Sequence, residues 1–334
     1  HSVSLIPQAK NKINRKYVSP AAIRVVEKLR AADYEGYIVG GAVRDLILGN
    51  KPKDFDVATN ATPEEVKGLF RSARIIGRRF QIVHVRDGRE IIEVTTYRGP
   101  HLSEGSIKSA SQQSDKGLLL RDNVYGTLAE DAARRDLTIN AMYYNPIDGS
   151  VLDQMDGQKD INARLVRVLG DPQTRYREDP VRMLRVVRFA AKLQFDIESD
   201  TEAAIGVCGP LLAEIPPARL FDEFLKLFMA GHGRPTLLLL LRYQLLDSLC
   251  PDAAFLIEKE SRFKTLVTQA TGNTDQRVKD GRHVTPAFLL AALLWPVVQT
   301  RADNLVKAGE AAAQAIHSAG QQVIAETCQK MAIP

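Results

Sequence analysis

The chain has 334 residues, 45% hydrophobic and 25% charged, a composition that excludes a disordered chain and leaves room for more than one domain with its own core. No apolar run approaches the ~20 residues of a membrane span; the longest leucine tract, Leu237 to Leu241, stops at Arg242 and reads as a buried helix face. A net charge of +5, from 45 Lys and Arg against 40 Asp and Glu, permits a polyanionic partner without requiring one.

In chain order, Ser19-Pro20 followed by Ile23, Val26, Glu27 and Leu29 predicts an N-cap, a proline in the first helical turn and an amphipathic helix. A short strand from Tyr37 to Val39 runs into Gly40-Gly41, and a helix follows from about Ala42 to Leu48. Lys53-Asp54-Phe55-Asp56-Val57 reads as the next strand, and Thr62-Pro63-Glu64-Glu65 opens a helix with a capping-box pattern. Three apolar segments, Ala73 to Ile76, Phe80 to Val85 and Ile91 to Tyr97, are expected as strands, the last two joined by a hairpin turn at Asp87-Gly88.

The stretch from Arg98 to Gly126 is rich in Ser, Gly and Gln and has no period, so it reads as a mobile active-site loop or a surface insertion. Thr127 and Glu130 then open a further helix leading into Arg134-Arg135-Asp136-Leu137-Thr138-Ile139-Asn140, and Pro146 to Gly149 makes a turn between two short strands. From about Gly157 onward the sequence shows only helical periodicity, broken by prolines at 180, 210, 216, 217, 235, 251 and 286. A strand-containing head is thus followed by an all-helical body.

The chemistry concentrates in the head. In an extended strand residues i and i+2 share a face, so the carboxylates of Asp54 and Asp56 lie side by side while Phe55 turns inward. Such a pair repels itself unless a divalent cation sits between, and hard oxygen ligands suit Mg²⁺ completed by water and phosphate. Gly40-Gly41 lies between a strand and a helix, where backbone N–H groups can approach a phosphate; the plainer reading is a tight turn needing glycine. Arg44 would add a guanidinium one turn in.

Glu93 interrupts an apolar strand, either because the strand has a wet face or because the acid completes the metal site. Asp136 is the second candidate for a third carboxylate, against a plain ion pair with Arg134 or Arg135. Asp179 suits an N-cap before Pro180, and Arg182 and Arg185, three apart on one helix face, can read the edge of a base or clasp phosphate. His84 reads as a sheet histidine, and the other histidines show no ligand spacing. Cys208, Cys250 and Cys328 are far apart with no C-x-x-C, which speaks against disulfides and zinc and for the cytoplasm. No signal-peptide pattern is visible at the amino terminus, although His1 is not an initiator Met, which leaves trimmed upstream residues open.

Gly40-Gly41-Ala42-Val43-Arg44-Asp45, Asp54-x-Asp56, Arg134-Arg135-Asp136-x-x-x-Asn140 and Glu178-Asp179-x-x-Arg182, in this order, resemble the class II nucleotidyltransferase family, which comprises bacterial CCA-adding tRNA nucleotidyltransferases and poly(A) polymerases. Ile75-Ile76-Gly77-Arg78-Arg79-Phe80-Gln81-Ile82-Val83-His84-Val85 resembles the segment that marks the poly(A) branch. The resemblance implies an α+β fold, a nucleotidyltransferase head with a small mixed sheet and flanking helices followed by an all-helical body. The expected parts are a catalytic head over residues 1–155, a base-recognition neck over 156–230 and an RNA-binding body over 231–334.

It further implies that Gly40, Gly41 and Arg44 hold the triphosphate, that Asp54 and Asp56 hold two Mg²⁺ ions, and that Arg134, Arg135, Asp136 and Asn140 contact the nucleotide. Asp179, Arg182 and Arg185 fall at the incoming base, and Asp136 or Glu93 is the third catalytic carboxylate. The expected activity is template-independent addition of AMP from ATP to RNA 3′ ends with release of pyrophosphate. The alternatives are CCA addition and a catalytically silent RNA-binding protein on the same fold. Members of the poly(A) branch continue past the position of Pro334 with further helices and a basic tail, so a body truncated at its C-terminus is expected.

Overall fold

The computed structural model describes residues 3–78, 80–99 and 124–331. Two compact units divide the chain, His1–Leu169 and Gly170–Pro334.

The first unit is built on an eight-stranded mixed sheet in the order β1-β8-β7-β2-β3-β6-β5-β4. The strands are β1 (Ser4–Ile6), β2 (Tyr37–Val39), β3 (Asp56–Thr59), β4 (Ala73–Ile76), β5 (Ile82–Asp87), β6 (Glu90–Thr96), β7 (Met142–Tyr144) and β8 (Val151–Asp153). β2 runs antiparallel to both β3 and β7, whereas β3 and β6 run parallel with Asp56 opposite Glu93. A parallel pair needs a crossover, here supplied by α4 (Pro63–Leu69), β4 and β5. β5 and β6 close as a hairpin with Asp87 opposite Glu90, at the expected turn.

The helices of this unit are α1 (Gln8–Asn11), α2 (Pro20–Ala31), α3 (Gly41–Ile47), α4, α5 (Leu128–Ala133) and α6 (Gly157–Ala163). Ser19 caps α2 through its side chain with Pro20 in the first turn. Both capping boxes form: Thr62 with Glu65 on α4, and Thr127 with Glu130 on α5. α2 buries Ala22, Val25, Val26 and Leu29, one apolar stripe at helical spacing.

Some features depart from the sequence reading. β3 begins at Asp56, so Asp54 precedes the strand, although the alternation holds: Phe55 is buried at 5% exposure between two exposed aspartates. Past Gly157, Leu165–Val166 (β9) and Asp196–Ile197 (β10) are short strands, too brief to show a period of their own. In the stretch from Ile75 to Val85, Gly77 has φ +95, and a side chain there would run into the Phe80 carbonyl. That position takes glycine for the turn between β4 and β5; Arg79 lies outside the described residues.

Most of the segment expected as a loop, 100–123, also lies outside the described residues. Its flanks are tied together: the Gly99 N–H donates to the Val124 carbonyl at 2.8 Å and the Gly126 N–H to the Tyr97 carbonyl at 2.9 Å.

The second unit is helical apart from β10: α7 (Pro172–Glu178), α8 (Val181–Leu193), α9 (Ser199–Cys208), α10 (Pro217–Phe228), α11 (Gly233–Arg242), α12 (Leu246–Leu249), α13 (Pro251–Lys259), α14 (Ser261–Lys279), α15 (Pro286–Lys307) and α16 (Ala312–Met331). In α11 the leucine tract buries Leu237, Leu240 and Leu241, as its pattern predicts. The buried Asp275 carboxylate accepts the Gly233 and Arg234 N–H groups at 2.6 and 2.8 Å, so the amino end of α11 is satisfied from α14. All three cysteines are free. Among the described residues no helix is long and apolar enough to cross a membrane.

Candidate active site

The site begins where β2 stops. Gly40 has φ +74 and ψ −139, a backbone conformation that side chains resist, and it turns the chain into α3. A Cβ at Gly40 would sit 3.7 Å from Arg135 Nη1, and one at Gly41 would sit 3.2 Å from Arg44 Nη2. The glycine pair therefore lies beneath two guanidinium groups, an arrangement suited to an anion.

Arg44 is only 3% exposed. Its Nη1 donates to Asn140 Oδ1 at 2.6 Å, while Nε and Nη2 donate to Asp45 Oδ1 at 3.0 and 2.9 Å. The Asn140 side-chain oxygen thus faces Arg44 and holds its guanidinium in place. With Arg44 on the triphosphate, as the resemblance implies, replacing Asn140 by Ala is expected to raise the KM for the nucleotide by about tenfold, since a hydrogen bond to a charged group contributes about 1.5–3 kcal/mol. Steady-state kinetics measure this, and an unchanged KM with a folded variant overturns the positioning role.

The acids lie on neighbouring strands. Asp56 stands opposite Glu93, and Glu93 stands opposite His84, so one cross-strand row carries all three side chains on one face. His84 Nε2 is 3.5 Å from Glu93 Oε2, an ion pair only when the imidazole is protonated. The Asp56 carboxyl is pushed up to about 6 by its dense surroundings first, then by Glu93 and by Asp54, with Arg135 pulling the other way. Solvent still reaches Asp56, yet the protein crowds its carboxylate on enough sides to oppose ionisation. Asp54, Asp56, Glu93 and Arg135 therefore feel one another.

Crowded carboxylates of this kind fit a hard divalent cation. Among the described residues no three His, Cys, Asp or Glu side chains converge closely enough to enclose a metal by themselves. A cation held by Asp54 and Asp56 would keep room for water and phosphate oxygens.

The sequence offered Asp136 as an ion-pair partner of Arg134 or Arg135. The structure gives those arginines another anchor, Asp131, which is 2% exposed. Asp131 Oδ1 accepts from Arg134 Nη2 at 3.2 Å and from the Arg98 N–H at 3.1 Å. Its Oδ2 accepts from Arg135 Nη2 at 3.0 Å and from the Tyr143 hydroxyl at 2.6 Å. Burial opposes ionisation of Asp131, but Arg135, the Tyr143 hydroxyl, the Arg98 N–H and Arg134 together outweigh it and hold the carboxyl below its usual range. Arg135 also donates from Nε to the Tyr143 hydroxyl at 3.1 Å and lies over the Tyr143 ring.

Tyr143 packs edge-on against Tyr37 and Tyr97 in a cluster with Val39, Ala58 and Ala132, so a rigid aromatic floor supports the arginine beside Gly40. Sequence reading missed Asp131 and Tyr143. The available signal was spacing: Asp131 precedes Arg134 by three residues and Arg135 by four on a capped helix. Asp136 Oδ1 accepts its neighbour's N–H, that of Leu137, at 2.9 Å, and its carbonyl accepts the Leu169 N–H at 3.0 Å.

Asp179, Arg182 and Arg185 belong to the second unit. Asp179 does not cap α8 in the expected way: it ends α7, accepts the Val181 N–H at 3.3 Å and pairs with Arg219 Nη2 at 2.7 Å. Pro180 takes the capping position because the chain turns helical there, at φ −58 and ψ −24. Arg182 donates from Nη1 to the Arg175 carbonyl at 2.9 Å and to Glu178 Oε2 at 3.0 Å. Arg185 lies one turn further along α8, which buries Val181, Leu184, Val187 and Ala191.

The poly(A) polymerase head domain family matches residues 36–167, the span holding every head residue above, and a family described as the probable RNA and SrmB binding site of polymerase A matches residues 194–256. Poly(A) polymerase I of Escherichia coli O6:H1 is 47% identical over 335 residues, covering 99% of this chain and 72% of that protein. The chain belongs to the poly(A) polymerase family. A CCA-adding enzyme of Leuconostoc mesenteroides is similar at 39% identity over 67% of the chain and 53% of its own length. Among solved structures, the CCA-adding enzyme of Bacillus stearothermophilus in complex with CTP superposes with a TM-score of 0.57 at 25% identity, covering 92% of this chain and 83% of that one. Poly(A) polymerases and CCA-adding enzymes thus share this fold, and the higher identity lies with the former.

Proposed function

We propose that the chain is a template-independent poly(A) polymerase that adds AMP from ATP to RNA 3′ ends. The observation that carries this reading is the row of Asp56 and Glu93, with Asp54 beside it, facing the Gly40 turn under Arg135. The 47% identity to poly(A) polymerase I over 99% of the chain supports adenylate as the added unit.

In the reaction the RNA O3′ attacks the α-phosphorus of ATP. A new O3′–P bond forms, the bond from the α-phosphorus to the α–β bridging oxygen breaks, and pyrophosphate leaves as the hydroxyl proton is lost. Asp54 and Asp56 would hold two Mg²⁺ ions, which when bound lower the pKa of the attacking hydroxyl and neutralise the leaving pyrophosphate. Gly40, Gly41 and Arg44 form the cradle for the triphosphate, and Arg134 and Arg135, seated on Asp131, supply fixed positive charge.

Asn140 keeps Arg44 in place. Glu93 or Asp136 is the third acid, and the register beside Asp56 favours Glu93. Base recognition is assigned to Asp179, Arg182 and Arg185 of the second unit. The proposed parts are a head over residues 1–155, a base-recognition neck over 156–230 and an RNA-binding body over 231–334. A cytoplasmic location suits three free cysteines.

Primer extension with each nucleoside triphosphate separately tests the reading. Long A tracts on unrelated RNA primers with ATP alone are the expected result. Three nucleotides added only to tRNA ends would assign CCA addition instead, and a folded protein with no Mg²⁺-dependent pyrophosphate release would assign a silent RNA-binding role.

A further inference from the structure

On the second unit, the carboxyl end of α14, the loop after it and the first turn of α15 surround an open cavity of about 660 Å³. Arg277, Asp280, Arg282 and His283 line it together with Phe288, which is 53% exposed. Seven residues on, and so on the same face of α15 about 10 Å along the axis, stands Trp295, the sole tryptophan of the sequence, at 37% exposure. Two large rings left in water seven residues apart on one helix, beside a cavity edged by arginines, mark a surface with a partner.

The charges beside the rings identify the partner's chemistry. Arg277 is fixed by donations from Nε and Nη2 to the His283 carbonyl at 3.2 and 2.9 Å, and its Nη1 makes no hydrogen bond among the described residues. Arg282 is loosely drawn to Asp280 at 3.9 Å, with 65% of its side chain exposed. Two guanidinium groups outnumber one carboxylate at the mouth of the cavity. Rings that accept any base by stacking, with arginines able to follow a phosphate backbone, form the combination that single-stranded nucleic acid requires.

We propose that this face is a stacking platform for single-stranded RNA, with Phe288 and Trp295 each under a base and Arg277 and Arg282 on phosphates. It rests on the reading of the chain as an enzyme that extends RNA, and it places an RNA contact outside the matched span 194–256. Repeated extension needs such a grip, because a grip on stacked bases is indifferent to the sequence of the RNA it holds.

The single tryptophan makes the test specific. Trp295 emission is recorded while the whole chain is titrated with oligo(A) of about a dozen nucleotides, and AMP incorporation is measured in the same preparation. Saturable quenching is expected. F288A is expected to weaken oligo(A) binding about tenfold through loss of one stacked base. R277A/R282A is expected to flatten the slope of log affinity against log salt by about 1.4; its exposed side chains keep the test open if F288A loosens α15. Oligo(A) that does not bind, that binds with Trp295 emission unmoved, or that binds both variants as it binds the wild type overturns the platform, and the surface then serves a protein. Incorporation that persists in that case leaves the polymerase reading standing, whereas a wild-type chain with no incorporation brings down that reading instead.

Discussion

Asp56→Asn is expected to abolish AMP incorporation, by roughly a thousandfold or more, and to raise the melting temperature of the metal-free protein at pH 8. The first effect follows from removing one of the two carboxylates assigned to the cation. The second follows from the sign of its shift. The Asp56 carboxyl is raised from 3.8 to about 6 in the folded chain, so the fold disfavours the ionised form. Below pH 3.8 the group is protonated in both states and costs nothing; between 3.8 and about 6 the cost grows, and above that it is fully present.

Because water reaches this carboxylate, screening reduces the cost to the order of 1 kcal/mol, or about 2–4 °C in melting temperature. The gain from Asn should therefore appear at pH 8 and vanish at pH 4. A melting temperature that rises equally at both values would mean that the substitution acts by something other than charge. Asp54→Ala should lose incorporation to a similar degree, and wild-type-like extension by either folded variant would falsify the metal assignment.

Asp131→Ala should be the most damaging single change outside the acid row. It takes from Arg135, Arg134, the Tyr143 hydroxyl and the Arg98 N–H the carboxylate they share, and stripping a buried ion pair of one partner costs about 3–5 kcal/mol. Denaturant unfolding reads the loss, and incorporation falls with it because Arg135 loses its seat beside Gly40. Tyr143→Phe, which removes one hydroxyl and keeps the ring, should cost about 1 kcal/mol and leave most activity. The Asp131 carboxyl is held below its usual 3.8, so the stability it contributes is complete above that value and is lost as the pH falls through its folded pKa. Asp131→Ala should accordingly look least harmful in acid. Equal stability of Asp131→Ala and wild type at pH 7 would show that the arginines do not depend on this anchor.

The sequence made local features legible and left the long-range ones hidden. Ser19, Thr62 and Thr127 announce their helices because a cap is satisfied within three residues of its own position, and the Asp87 turn is equally local. The Asp54 and Asp56 pair was visible from alternation alone, although the strand proper starts only at Asp56. Strand β1 was invisible: Ser4–Ile6 is short and largely exposed, and it exists by pairing with Val151–Asp153 far along the chain. That Glu93 stands opposite Asp56 could not be read either, since the register of β3 against β6 is set by a crossover rather than by either strand's own residues. Asp179 misled because a capping pattern says that a helix starts nearby, not on which residue it starts.

The crossover also bears on the order in which the site comes together. The β5–β6 hairpin closes across its own turn, an event of about 1–10 μs in isolated hairpins, whereas β3 pairs with β6 only after α4 and the β4–β5 segment have been gathered between them. Glu93 is therefore expected to be in position before Asp56 arrives. Their mutual repulsion falls on the docking of β3, a late step in a unit already partly built, so neutralising Asp56 should quicken the final approach of that strand more than it slows the opening of the finished sheet.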